Sequence, residues 1–183
     1  MQDLAAVVAA ADQVPFVYGH SSGGALVLEA AARGVEMRRL AVYEPPYTGE
    51  HHPGPEFGEH LDQLVAAGRR DQAAERWLAM TGTPPPVIAA IKTGPGWAHR
   101  QALAHTLSQD LRLANEGRLP IERLTLIDVP VLAMAGAASA PWAASTAATL
   151  AAGLPHATEQ IVGGQQHIPA DHVVAATLER FFW

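Results

Sequence analysis

The chain has 183 residues, 49% of them hydrophobic, and its 12 Lys and Arg against 18 Asp and Glu leave a formal charge of -6. That length and apolar content suit one sizeable core without a second independent domain, and the scattered basic residues, apart from pairs such as Arg38-Arg39 and Arg69-Arg70, argue against a nucleic-acid or polybasic membrane surface. The chain has no cysteine, which excludes disulfides, thiolate metal sites and a cysteine nucleophile and fits a reducing compartment.

The amino terminus, Met1-Gln2-Asp3-Leu4, carries an acid where a signal peptide would be basic, and the apolar run Leu4 to Ala11 is too short to span a bilayer. A soluble, cytoplasmic protein is expected. Residues 2–12 read as the end of an amphipathic helix, followed by a buried strand over about 15–20 and a helix over about 22–33 closed by Gly34. Between that strand and helix stands Gly19-His20-Ser21-Ser22-Gly23, a G-x-S-x-G sequence in the strand–turn–helix setting of a nucleophile elbow. The spacing has a mechanical reason. A serine on so sharp a turn adopts a strained backbone and needs bare neighbours two positions either side, which Gly19 and Gly23 are expected to supply. The turn lifts Ser21 to where a histidine can take its proton, and the N–H of Ser22, at the start of the helix, would stabilise an oxyanion.

A second strand, Leu40-Ala41-Val42-Tyr43, runs into Glu44-Pro45-Pro46, where two prolines forbid further pairing and leave Glu44 at a strand's C-terminal end. From about 48 to 120 the pattern changes to short helical pieces separated by Pro and Gly, with no strong strand signal. This segment reads as a helical cap insert whose Trp77, Leu78, Met80, Val87, Ile88, Ile91 and Trp97 either line a pocket or pack as ordinary core. Residues 129–136 form a third buried strand ending in Gly136, a helix follows over about 141–152, residues 159–162 form a fourth strand, and a last helix covers about 170–182. The expectation is an α/β fold: a mostly parallel sheet of about four strands flanked by helices, its core made of residues 1–47 and 121–183, with the insert at 48–120.

The Gly19-His20-Ser21-Ser22-Gly23 elbow, the apolar strand ending in Gly136 and the late Gly164-Gln165-Gln166-His167 resemble the C-terminal portion of the α/β-hydrolase fold family, over nearly the whole chain. In that family the triad runs Ser, acid, His along the chain, so the resemblance assigns the histidine's place to His167, which would serve as general base and then general acid. The family's commonest acid position, three residues after the glycine that ends the third strand, holds Ser139, which cannot carry the charge that stabilises an imidazolium. Some members place the acid at the end of the strand after the nucleophile strand, and there stands Glu44. Asp128 precedes the third strand, at the wrong edge of the sheet, and Asp171 reads as a cap of the last helix. His20 adjoins the nucleophile but is expected to point away from it as a packing residue. His51, His52, His60, His99, His105, His156 and His172 show no metal-ligand spacing and read as solvated or structural.

The resemblance implies a serine hydrolase cleaving a small, mostly apolar ester or related acyl substrate, with no cofactor and no metal. A serine nucleophile argues against the dehalogenase and epoxide-hydrolase branches, which use aspartate. It also implies that the family's N-terminal strands, with the loop that donates a second oxyanion N–H, are missing from these residues. A longer gene, a reduced variant and a homo-oligomer formed through the exposed sheet edge all remain open. So does a second class of function, a non-catalytic remnant that binds a ligand or partner.

Overall fold

A computed structural model describes residues 2–183. Four strands, β1 (Phe16–His20), β2 (Arg39–Tyr43), β3 (Val131–Gly136) and β4 (Ala157–Val162), form one sheet in the order β1-β2-β3-β4, every neighbour parallel. Each of β2 and β3 is a continuous apolar run because both faces are covered: Leu40 through Tyr43 and Val131 through Met134 are all buried. β4 opens on Ala157, Thr158 and Glu159, the last two polar and exposed, as suits an outer strand. β3 begins at Val131 rather than at residue 129 because Pro130 has no N–H for the ladder; its carbonyl instead accepts from Leu40 N at 2.9 Å.

The chain divides into two compact units, residues 1–50 with 117–183, and residues 51–116. In the first, α1 (Gln2–Ala9) precedes β1 and ends three residues before the expected limit. The helix α2 (Ser22–Ala32) links β1 to β2, and α9 (Pro141–Gly153) links β3 to β4. A right-handed crossover between adjacent parallel strands sets both on one face of the sheet. The opposite face carries Ala41, Tyr43, Leu132, Met134 and Val162, against which Tyr18 and the side chains Val173, Leu178, Phe181 and Phe182 of α10 (Asp171–Phe182) pack. A short helix α8 (Ile121–Leu124) is tied to α2 through Glu29, whose side chain receives Arg33 and Arg123 at 2.8 and 2.9 Å.

The second unit holds α3 (Pro55–Ala66), α4 (Arg70–Met80), α5 (Pro85–Thr93), α6 (Trp97–Leu103) and α7 (Leu107–Leu113). It has its own core of Leu61, Leu64, Ala73, Ala104 and Leu111, with Trp77 and Met80 packed against it. Leu78 and Ile88 are also buried, whereas Val87 is 47% exposed. For Trp77 and Met80, core packing is therefore the role they fill.

Candidate active site

Parallel pairing brings the C-terminal ends of all four strands to one edge of the sheet, and the loops leaving that edge carry the chemistry-bearing residues. The chain leaves β1 at Ser21, whose amide still reaches the Tyr43 carbonyl at 2.9 Å while its own φ of 54° and ψ of -126° turn the backbone sharply into α2. A non-glycine residue held there costs about 1–3 kcal/mol and is retained where the surroundings over-determine it. Gly19 is one reason it holds, since a Cβ there would stand 2.5 Å from the Gly23 carbonyl oxygen and 2.6 Å from Val27 Cγ2. Gly23 itself differs from expectation, because a Cβ there would meet nothing within 4 Å. The second tight position is Gly24, where an added Cβ would lie 3.2 Å from Pro45 Cβ. Ser22 opens α2, so its N–H has no partner within the helix and stands at the positive end of the helix dipole.

Glu44 follows β2 in the same way. Its N–H bonds the Met134 carbonyl at 3.0 Å, its φ is 47°, and its side chain is 1% exposed. A buried carboxylate needs partners, and this one has them: Oε1 accepts from Gly136 N at 2.8 Å and Oε2 lies 2.8 Å from His167 Nδ1. Burial pushes the Glu44 carboxyl up, but bonding from His167, Ser139 and the Gly136 amide outweighs it and holds the group below its ordinary value. Ser139 Oγ, buried without a hydrogen bond of ordinary geometry, thus sits beside the carboxylate rather than replacing it.

His167 lies in the loop between β4 and α10. Its Nδ1 faces Glu44 and its Nε2 stands 3.1 Å from Ser21 Oγ. Because the ionised carboxylate only accepts, Nδ1 carries the hydrogen and Nε2 is left to accept from the serine hydroxyl in the neutral ring. The structure brings Ser21, His167 and Glu44 together in one hydrogen-bonded line, with the Ser22 amide next to the hydroxyl's residue. Asp128 is distant in role as well as position, exposed and 3.3 Å from His156. Asp171 is not the cap of α10: Ala170 is, and its N–H is held by Gln165 Oε1 at 2.8 Å.

His20 departs from the packing role read in the sequence. Its Nε2 donates to the His167 carbonyl oxygen at 2.6 Å, and its ring lies 5.1 Å from the His167 ring. Tyr43 likewise donates its hydroxyl to the Gln166 carbonyl at 2.8 Å. A hydrogen bond across 147 positions of sequence leaves no local pattern, so neither contact had a signal in the chain. Among the described residues no cluster of three or more His, Asp or Glu could hold a metal ion, and no helix is long and apolar enough to cross a membrane.

No protein-family model and no curated protein matches the chain. Solved structures do. An α/β hydrolase from Sphaerobacter thermophilus is 38% identical, with 99% of this chain and 72% of that chain covered and a TM-score of 0.88. A hydrolase from Pseudomonas aeruginosa is 21% identical over 99% of this chain and 66% of its own, with a TM-score of 0.62. The 2-hydroxy-6-oxo-6-phenylhexa-2,4-dienoate hydrolase of a Rhodococcus species is 16% identical over 91% and 63%, with a TM-score of 0.55. The last two share the fold. The Sphaerobacter protein shares both fold and more than a third of its residues over the matched length, and on that footing this chain belongs to the α/β-hydrolase family.

Proposed function

We propose that this member of the family is a serine hydrolase that cleaves a small, mostly apolar ester or related acyl substrate through an acyl-enzyme. Ser21 is the nucleophile, His167 the general base and acid, and Glu44 the carboxylate that orients the ring. The observation that carries the reading is the hydrogen-bonded line from Glu44 Oε2 through His167 to Ser21 Oγ, with spacings of 2.8 and 3.1 Å. In this cycle His167 Nε2 takes the Ser21 proton as Oγ attacks the acyl carbonyl, and the charge formed on the ring faces a buried carboxylate held ionised. The Ser22 N–H, at the helix start, donates to the carbonyl oxygen as it becomes an oxyanion. His167 then returns the proton to the leaving alkoxide, the acyl–oxygen bond to the alcohol breaks, and a water activated by the same nitrogen releases the acid.

The reading is tested by rapid-mixing hydrolysis of p-nitrophenyl butyrate. An acyl-enzyme predicts a burst of about one equivalent of nitrophenolate per chain, absent from Ser21→Ala. Equal release by both proteins would overturn it in favour of a non-catalytic member of the fold that binds a ligand or partner.

A further inference from the structure

Three consecutive carbonyls of the histidine loop are each held by a donor from the end of a different strand. Ala138 N, just past β3, bonds Gln165 O at 2.9 Å. Tyr43 Oη, the last residue of β2, bonds Gln166 O at 2.8 Å. His20 Nε2, the last residue of β1, bonds His167 O at 2.6 Å. The loop is also pressed close to β3, since a Cβ on Gly136 would collide with the Gln165 carbonyl and with Tyr43 Oη at 2.7 Å.

We propose that His20 is a positioning residue for the reaction: by donating Nε2–H to the backbone carbonyl of His167, it fixes the imidazole within reach of the serine that follows His20 in the chain. This rests on Ser21 and His167 acting as assigned above. A single residue thereby couples the two partners, because the peptide bond from His20 to Ser21 and the bond from the His20 ring to His167 O close one short circuit around the 3.1 Å Ser21–His167 contact. The other two clamps hold the loop from farther along it, whereas this one acts on the backbone of His167 itself.

The chemistry of the ring suits the task. A carbonyl accepts only, so Nε2 carries the hydrogen, and a neutral ring donates from there as well as a charged one. Burial lowers the His20 pKa; the hydrogen bond to His167 O raises it, the neighbouring His167 charge lowers it and Glu44 raises it, with the net below the ordinary imidazole value. His20 thus donates without placing a second cation beside the ring that becomes charged in the reaction. It touches neither substrate nor reacting atoms in this role and so acts only through His167.

The test compares His20→Leu, which removes the donor, with His20→Gln, whose amide nitrogen can reach where Nε2 stands. Activity is read with p-nitrophenyl butyrate and folding by thermal unfolding of each protein. A lost clamp is expected to lower kcat by about 100-fold in His20→Leu, the scale of a catalytic group displaced by about an ångström, with KM within about twofold. His20→Gln is expected to recover most of that loss. Wild-type kcat in His20→Leu, or a deficit that His20→Gln shares in full, would overturn the proposal. Should His20→Leu not fold, His20→Asn, whose amide falls one methylene short, takes its place: equal rates in the Asn and Gln variants would contradict the clamp. If wild-type turnover does not depend on Ser21, it is the assignment of the nucleophile that fails, and Ser21→Ala run alongside separates the two outcomes.

Discussion

Glu44 places a buried charge in the site, facing His167 and the Gly136 amide, with Ser139 beside it. Glu44→Gln keeps the shape and removes the charge, so it is expected to lower kcat by about 1,000- to 10,000-fold, by analogy with loss of the carboxylate in other triads. Unchanged turnover would remove Glu44 from the mechanism. The same residue sets a pH dependence of stability. Its pKa is lower folded than unfolded, so the stability it contributes is present above the ordinary carboxylate range and is lost as pH falls through the lower, folded-state value. Thermal midpoints of wild type are therefore expected to fall with acidification more steeply than those of Glu44→Gln; parallel curves would contradict the assignment. Ser21 and His167 were legible because each carries a local signature, a G-x-S-x-G turn and a glycine-rich loop after the last strand. Glu44 carries no motif of its own: the prolines that end its strand and the resemblance to members with the acid at that strand end pointed to it, and its reach to His167 spans 123 positions. His20 was misread because its partner is a carbonyl, which every residue has.

At the scale of the element, the elbow depends on how closely β1 approaches α2. Gly19→Ala would drive a methyl into the Gly23 carbonyl and Val27, and is expected to destabilise the protein by about 1–3 kcal/mol in urea unfolding. Gly23→Ala, with open space around it, is expected to stay within about 0.5 kcal/mol of wild type. The reverse order would mean that the turn is built otherwise. The sequence pattern gave both glycines the same task, since a motif records residue types and not which atoms close on which. Strands were legible in proportion to their burial. β2 and β3, covered on both faces, read as apolar runs, while β4 was expected only from residue 159 because the small Ala157 and the exposed, polar Thr158 at its start look like loop.

For the whole molecule, the strand–helix alternation predicted the parallel sheet, and pairing in sequence order explains how residues near 20, 44 and 167 converge: each follows the C-terminal end of a strand, and parallel strands share that edge. The segment between β2 and β3 is one compact helical unit over 51–116, and the tryptophan and methionine that suggested a pocket serve its own core. What no pattern along the chain could supply is the substrate, because shape selection is a property of surfaces assembled from distant residues. The central claim, that the hydroxyl of Ser21 is activated as a nucleophile, is open to one direct measurement that assumes no natural substrate. The folded 183-residue chain is incubated with a fluorophosphonate, digested, and the adduct located by peptide mass spectrometry with Ser21→Ala as control. The account predicts a covalent adduct on Ser21 and none in the variant; a folded wild-type chain left unlabelled, or labelled equally with Ser21 replaced, would contradict it.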